Sequence, residues 1–253
     1  MRYFIRLSYN GKLFHGWQSQ PNAKSVQQTL EEALQTVLRN PTPIVGAGRT
    51  DAGVNARVMY AHFDTAAEIS GNKRLIVGLN RLCGKGIAVE NIFRVPDTAH
   101  ARFDAVKRTY KYFVTFAKSP FLRDFSWHSP SALDVEGMNE AAQTLLHTDD
   151  FTSFAKLHSD AKTNICRVTE ARWKKWENNY ATPGIVFTIS ADRFLRNMVR
   201  SVVGTLVDVG RGKLTSADFK EIIEKRNRCA AGTSMPAEAL FLWDIEYPEN
   251  YVP

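Results

Sequence analysis

The chain has 253 residues, 44% of them hydrophobic and 23% charged, with a formal net charge of +7. That is enough apolar content for one large or two smaller cored domains and excludes a disordered chain. The amino-terminal residues lack the unbroken apolar core of a signal peptide, no uncharged apolar run approaches about 18 residues, and the three cysteines, Cys83, Cys166 and Cys229, form no C-x-x-C pair, so a cytosolic location is expected with neither a disulfide framework, a zinc site nor a membrane span.

Residues 2–9 alternate Tyr3, Ile5, Leu7 and Tyr9 with more polar neighbours, which predicts a strand, and residues 25–39 place Val26, Leu30, Ala33, Leu34, Val37 and Leu38 on one helical stripe. Ser25 with Gln28 reads as a capping box, and Pro41 and Pro43 stop the helix. Short strands are expected at 44–45 and 57–63, a helix near 74–82 and a strand at 87–95, giving β-α-β-β-α-β. The second half begins with a strand at 107–116, whose Tyr110, Tyr112, Val114 and Phe116 share one face, and a helix near 134–147. Strands follow at 165–176 and 185–191. Residues 194–207 carry the strongest helical stripe, ending near Gly210 and Gly212. A helix over 215–228, capped by Thr215 with Asp218 in its first turn, precedes a final strand at 240–247. The second order is β-α-β-β-α-α-β.

Each half therefore has the layout of a split β-α-β unit, with helices on one face of a largely antiparallel sheet, a plan shared with common RNA-binding domains. The expected fold class is α+β, with a first domain over 1–104 and a second over 105–253, and a cleft between two such units. Basic residues interleave with aromatics at 107–112, 172–176 and 193–196, with Arg200 a turn further on. Any one cluster reads as a solvated face; the three together suit a polyanion carrying stackable bases.

Between the two short strands of the first half lies Gly-Ala-Gly-Arg-Thr-Asp-Ala-Gly at 46–53, three glycines around one carboxylate and one guanidinium. The glycines permit positive φ and close backbone approach, so Asp51 can stand fixed at the edge of a cleft. Taken alone, the octapeptide is more simply a turn.

Four segments in order resemble the tRNA pseudouridine synthase A family: Phe-His-Gly-Trp-Gln at 14–18, Gly-Arg-Thr-Asp-Ala-Gly-Val-Asn-Ala at 48–56, His-Ala-Arg-Phe-Asp-Ala at 100–105 followed by Arg-Thr-Tyr-Lys-Tyr at 108–112, and Phe-Leu-Arg-Asn-Met-Val-Arg at 194–200 followed by the glycine-containing run 203–212. Asn55 stands where the family usually has His, and Ala239-Leu240 where it has Gly-Leu.

The resemblance implies a pseudouridine synthase fold of two ferredoxin-like halves flanking a central positively charged cleft. It further implies isomerisation of uridine to pseudouridine at positions 38, 39 and 40 in the anticodon stem-loop of tRNA, by a cytoplasmic homodimer. The reaction breaks the bond from ribose C1′ to uracil N1 and rejoins the base through C5, so it needs no cofactor and no metal; phosphate-loop, dinucleotide and metal-ligand motifs are absent from the sequence. Asp51 matches the family's catalytic aspartate, as nucleophile or base. Arg200 matches its cationic partner, although Arg193, Arg196 and Arg200 at helical spacing also read as solvated arginines. Tyr110 matches the tyrosine that stacks on the target base, against the simpler reading of a core strand tyrosine. Arg49 matches the arginine that holds the flipped nucleotide, against a structural bond to a nearby loop carbonyl. A noncatalytic tRNA-binding or chaperone protein, and a carboxylate-dependent nucleoside hydrolase, are the competing functions.

Overall fold

A computed structural model describes residues 1–69, 71–156, 162–249 and 251. In chain order the strands and helices are β1 (Arg2–Tyr9), α1 (Val26–Leu38), β2 (Val45–Gly46), β3 (Asn55–Asp64), α2 (Asn72–Leu82), β4 (Ile87–Val95), β5 (Lys107–Thr115), β6 (Trp127–His128), α3 (Val135–Gln143), β7 (Val168–Lys175), β8 (Gly184–Ala191), α4 (Met198–Gly210), α5 (Ser216–Glu224) and β9 (Leu240–Glu246). The fold is α+β with mostly antiparallel strand pairing.

The chain divides into two compact units, Met1–Lys107 with Leu242–Pro253, and Arg108–Phe241. In the first, β1 is central, antiparallel to both β3 and β4, and β2 adds a two-residue edge to β3 through Val45↔His62 and Gly46↔Ala61. The carboxy-terminal part of β9 lies on the far side of β3. Period-2 alternation brings Phe4, Tyr60 and Phe93 to one face of this sheet, where Tyr247 packs edge-on against Phe4 and Tyr60, each at 5.2 Å between centroids. The helices α1 and α2 lie together, with Leu30, Leu34, Leu75 and Leu79 buried.

The second unit holds β5, β8 and β7 side by side, antiparallel, with β6 parallel to the end of β5. Its core combines Trp173 and Phe187, 5.0 Å apart, with Phe151, Phe154 and Phe219 and the apolar stripe of α4. Trp173 is only 1% exposed, so in the 172–176 cluster the core reading wins over a stacking surface; Trp176 of the same cluster packs on Phe113.

Local signals set most element ends. Ser25 caps α1 by accepting the Gln28 N–H at 3.1 Å, but Gln28 sends its amide to Glu32 one turn on, so only half of the expected capping box is made. At α5 the box is complete between Thr215 and Asp218. The largest departure is at α4, which begins at Met198 and not at 194. Asn197 takes a left-handed conformation, φ +64°, and its side-chain amide donates to Ser234 Oγ at 2.6 Å. Asn tolerates that region where most residues do not, and the helix cannot extend back through it. Arg193 and Arg196 therefore precede the helix and do not share a helical face with Arg200. The helices expected over 134–147 and 215–228 are likewise shorter, each followed by a 3₁₀ turn.

Candidate active site: the Asp51 loop

The backbone of residues 46–53 is held from both sides. On one, Ala47 N–H donates to Tyr60 C=O at 2.8 Å, extending the β2–β3 pairing and burying Ala47. On the other stands the 14–18 segment. Trp17 N–H donates to Thr50 C=O, Thr50 Oγ1 hydrogen-bonds with Tyr9 Oη at 2.9 Å, and the Trp17 indole, 2% exposed, packs against Gly46. Gly16 adopts φ +89°, and a Cβ there would stand 2.5 Å from Thr50 O, so both the backbone angle and the approach demand glycine. The two first-half segments singled out in the sequence are thus one built object. After Thr50 the chain turns, Val54 N–H donating to Asp51 C=O at 3.2 Å with Gly53 at φ +82°; of the loop's three glycines only Gly53 uses the left-handed freedom expected of them. Asp51 is half-buried on this turn.

Asn55, at the start of β3, is 1% exposed and its Oδ1 accepts the N–H of Gly11 at 2.8 Å. It ties the base of the Asp51 turn to the segment leading from β1. Asn55→Ala strands a buried N–H and is expected to cost about 1–3 kcal/mol of stability. Denaturant midpoints of the wild type and variant check this, with an unchanged midpoint contradicting it.

Arg49 is exposed, and its Nε donates to Gln18 Oε1 at 3.2 Å. Gln18 in turn donates to Gln27 Oε1. These side chains, with Trp17 and Arg102, line a cavity of about 190 Å³ beside the loop.

Arg102 arrives from the 100–105 segment, which also belongs to the first unit. Ala101 N–H donates to Nδ1 of the buried His62 at 3.1 Å, Tyr247 Oη donates to Ala101 C=O, and the Asp104 carboxylate accepts His100 N–H at 2.6 Å. Burial, reinforced by the charge of Arg2 and by His100, lowers the His62 pKa from 6.5 to about 4. His62 is thus neutral in the folded protein at pH values where the unfolded chain already binds a proton. Stability is expected to be full above pH 6.5 and to fall as pH drops from 6.5 towards 4, levelling below that. Thermal unfolding across this range checks it; His62→Gln, which retains an acceptor without a titrating ring, is expected to flatten the slope, and an equal slope in the variant would contradict the assignment.

In the second unit Tyr110 is half-buried on β5, opposite Ile189 of β8, with its ring edge-to-face on Phe194 at 5.0 Å. Its neighbour Tyr112, by contrast, is wholly buried and donates to Pro236 C=O at 3.2 Å, so the core role on this strand belongs to Tyr112. Arg200 lies in the first turn of α4, half-buried; its Nε donates to Met235 C=O at 2.6 Å, and Met235 N–H donates back to Arg200 C=O. The guanidinium is thereby held in a fixed orientation. Phe194, Asn197 and Met235 as supports of Tyr110 and Arg200, and Trp17, Gln18, Gln27 and Arg102 as walls of the cavity, were not assigned these roles from sequence. The motifs containing Trp17, Arg102 and Phe194 are visible there, but their contacts are long-range.

Among the described residues no group of three or more His, Cys, Asp or Glu side chains could hold a metal ion, and no helix is long and apolar enough to cross a membrane.

Residues 141–248 match the family model described as tRNA pseudouridine synthase. A Bacteroides fragilis relative named tRNA pseudouridine synthase A is 55% identical over 249 residues, covering 98% of this chain and 97% of the relative. One from Parabacteroides distasonis, of the same name, is 55% identical over 252 residues, covering 100% and 98%, and one from Bacillus subtilis is 38% identical over 251 residues, covering 98% and 99%. A solved structure of an unknown protein from Galdieria sulphuraria is similar over 83% of this chain and 92% of that one, at 11% identity and a TM-score of 0.25, too slight a likeness to bear on the fold. On identity sustained over its whole length with relatives of one name, the chain belongs to the tRNA pseudouridine synthase A family.

Proposed function

We propose that the protein is a tRNA pseudouridine synthase that isomerises uridine at positions 38, 39 and 40 of the anticodon stem-loop. The observation that carries this is the full-length identity to relatives named tRNA pseudouridine synthase A, which embraces the Asp51 loop. The fold supplies a chemical rationale. An ionised carboxylate close to the sugar can attack C1′ as the C1′–N1 bond breaks, or remove the C2′ proton as that bond breaks. After the base turns, C5 bonds to C1′, displacing the carboxylate oxygen in the first case and with C2′ regaining its proton in the second, while C5 loses its proton and N1, which carries none in uridine, gains one. The base must leave the helical stack to reach the carboxylate, at a cost of a few kcal/mol that contacts in the site offset.

In this reading Asp51 is the nucleophile or base, Tyr110 stacks on the target uracil, Arg200 keeps the carboxylate ionised, and Arg49 holds the extruded nucleotide. The rigid bonding of Arg200 to Met235 supports a fixed electrostatic role, and the partial exposure of Tyr110 supports a ring available for stacking. The two halves, 1–104 with the aspartate and 105–253 with the tyrosine and arginine, are proposed as ferredoxin-like domains flanking a positively charged cleft. The protein works in the cytoplasm as a homodimer on one tRNA, without cofactor or metal; sedimentation showing only monomer at micromolar concentration would overturn the dimer. The function is tested by mapping pseudouridine in total tRNA from cells with and without the protein. Loss at positions 38 to 40 is expected, and an unchanged map would overturn the reading.

A further inference from the structure

The 100–105 segment has no task in the chemistry above, yet it is among the most firmly held stretches of the first unit. Ala101 is tied through its N–H to His62 and through its carbonyl to Tyr247, and Ala99 C=O accepts from Arg2. The ring nitrogen Nδ1 of His100 accepts from the N–H groups of both Arg102 and Phe103. Despite this anchoring, Phe103 is 74% exposed, one face of its ring lying on His100 at 4.3 Å, while the Arg102 guanidinium lies 5.7 Å from the ring centroid and lines the cavity that Arg49 also lines. A backbone pinned this tightly while its two largest side chains project outward is built to bind, since leaving a fixed aromatic ring in water otherwise has no return.

The chemistry of the pair selects its ligand. Arg49 and Arg102 both line a cavity of about 190 Å³ whose other walls come from Trp17, Gln18, Gln27 and residues 44–46 and 48. That is below the about 300 Å³ at which pockets begin to enclose a drug-sized ligand. The space suits a phosphodiester, which arginine forks grip through paired hydrogen bonds. An exposed aromatic ring next to it suits an unstacked base, the combination by which single-stranded RNA is held. Arg49, which holds the extruded nucleotide in the reading above, would grip it there through the phosphate that joins it to its neighbour.

We propose that Arg49 and Arg102 clamp a backbone phosphate of the RNA strand beside the target uridine, and that Phe103 stacks on the adjoining base, making the 100–105 segment a second, preformed element of substrate recognition. This rests on the reading of the substrate as RNA. The contacts are made before and during the reaction alike, so they act on binding more than on the chemical step.

The test uses Arg102→Gln and Phe103→Leu in the full chain, both at exposed positions, with an unmodified tRNA transcript as probe. For Arg102→Gln the slope of log Kd against log salt is expected to shrink by about one unit, the signature of one lost phosphate contact, which a purely structural role would not produce. For Phe103→Leu affinity is expected to fall at least about fivefold, with KM raised and kcat unchanged. Salt slopes and affinities equal to wild type in both variants would overturn the proposal. If the wild type forms pseudouridine while both variants bind unchanged, the clamp alone falls. If the wild type forms none, yet binding depends on Arg102 and Phe103 as stated, the clamp stands and the catalytic reading falls.

Discussion

Asp51→Ala is expected to reduce pseudouridine formation by at least about three orders of magnitude, the scale on which removing the one reacting group of a covalent or acid–base mechanism acts. The fold should survive the change. The turn closes through the Asp51 carbonyl and the Val54 N–H, which alanine retains, and the loop is anchored by Ala47, Thr50 and the Trp17 backbone, none of which depends on the carboxylate. Thermal unfolding and tRNA affinity near wild type, together with the loss of product in single-turnover assays, are the expected set. A variant within tenfold of wild-type rate would remove Asp51 from the chemistry.

Trp17→Ala is the substitution expected to damage the protein most. The indole is fully buried, packs against Gly46 and lies 6.2 Å from the Tyr9 ring, so its removal leaves a cavity under the loop as well as losing transfer free energy. Aromatic-to-alanine changes of this kind cost about 3–5 kcal/mol. For a chain of this length that corresponds to a drop in Tm of roughly 10 °C. Because Trp17 N–H still bonds Thr50 C=O, the loop is loosened more than displaced, and activity should fall even at temperatures where the variant stays folded. Trp17→Phe, which fills part of the space, should recover most of the stability. Calorimetry on the three proteins decides it, and an unchanged Tm in the alanine variant would contradict the packing described.

How far the sequence reveals such features depends on the range of the interactions that fix them. The starts of α1 and α5 are legible because Ser25 and Thr215 cap their helices within three residues. The start of α4 is not: the apolar spacing continues upstream through Leu195, but Asn197 turns left-handed with its amide on Ser234, 37 residues away. The same holds for the site. Asp51 stands out locally by its flanking glycines, whereas the reason for Gly16 appears only when Thr50 is seen against it. Tyr110 and Tyr112 look equivalent on an alternating strand; burial separates them, since Tyr112 turns its hydroxyl to Pro236 and Tyr110 keeps a partly open ring on Phe194. The Arg49 cavity draws on residues 17, 18, 27, 49 and 102, a set with no common spacing. The basic-aromatic pattern at 172–176 misleads for a related reason: period-2 alternation sends Trp173 inward and its neighbours Arg172 and Lys174 outward, which at sequence level resembles a nucleic-acid surface.

The most direct measurement is conversion of an unmodified tRNA transcript by the purified protein in the presence of a metal chelator and without added cofactor. Isomerisation should yield RNA of unchanged mass in which positions 38 to 40 carry pseudouridine, with no free uracil released. Free uracil and an abasic RNA, or bound tRNA with every uridine intact, would contradict it.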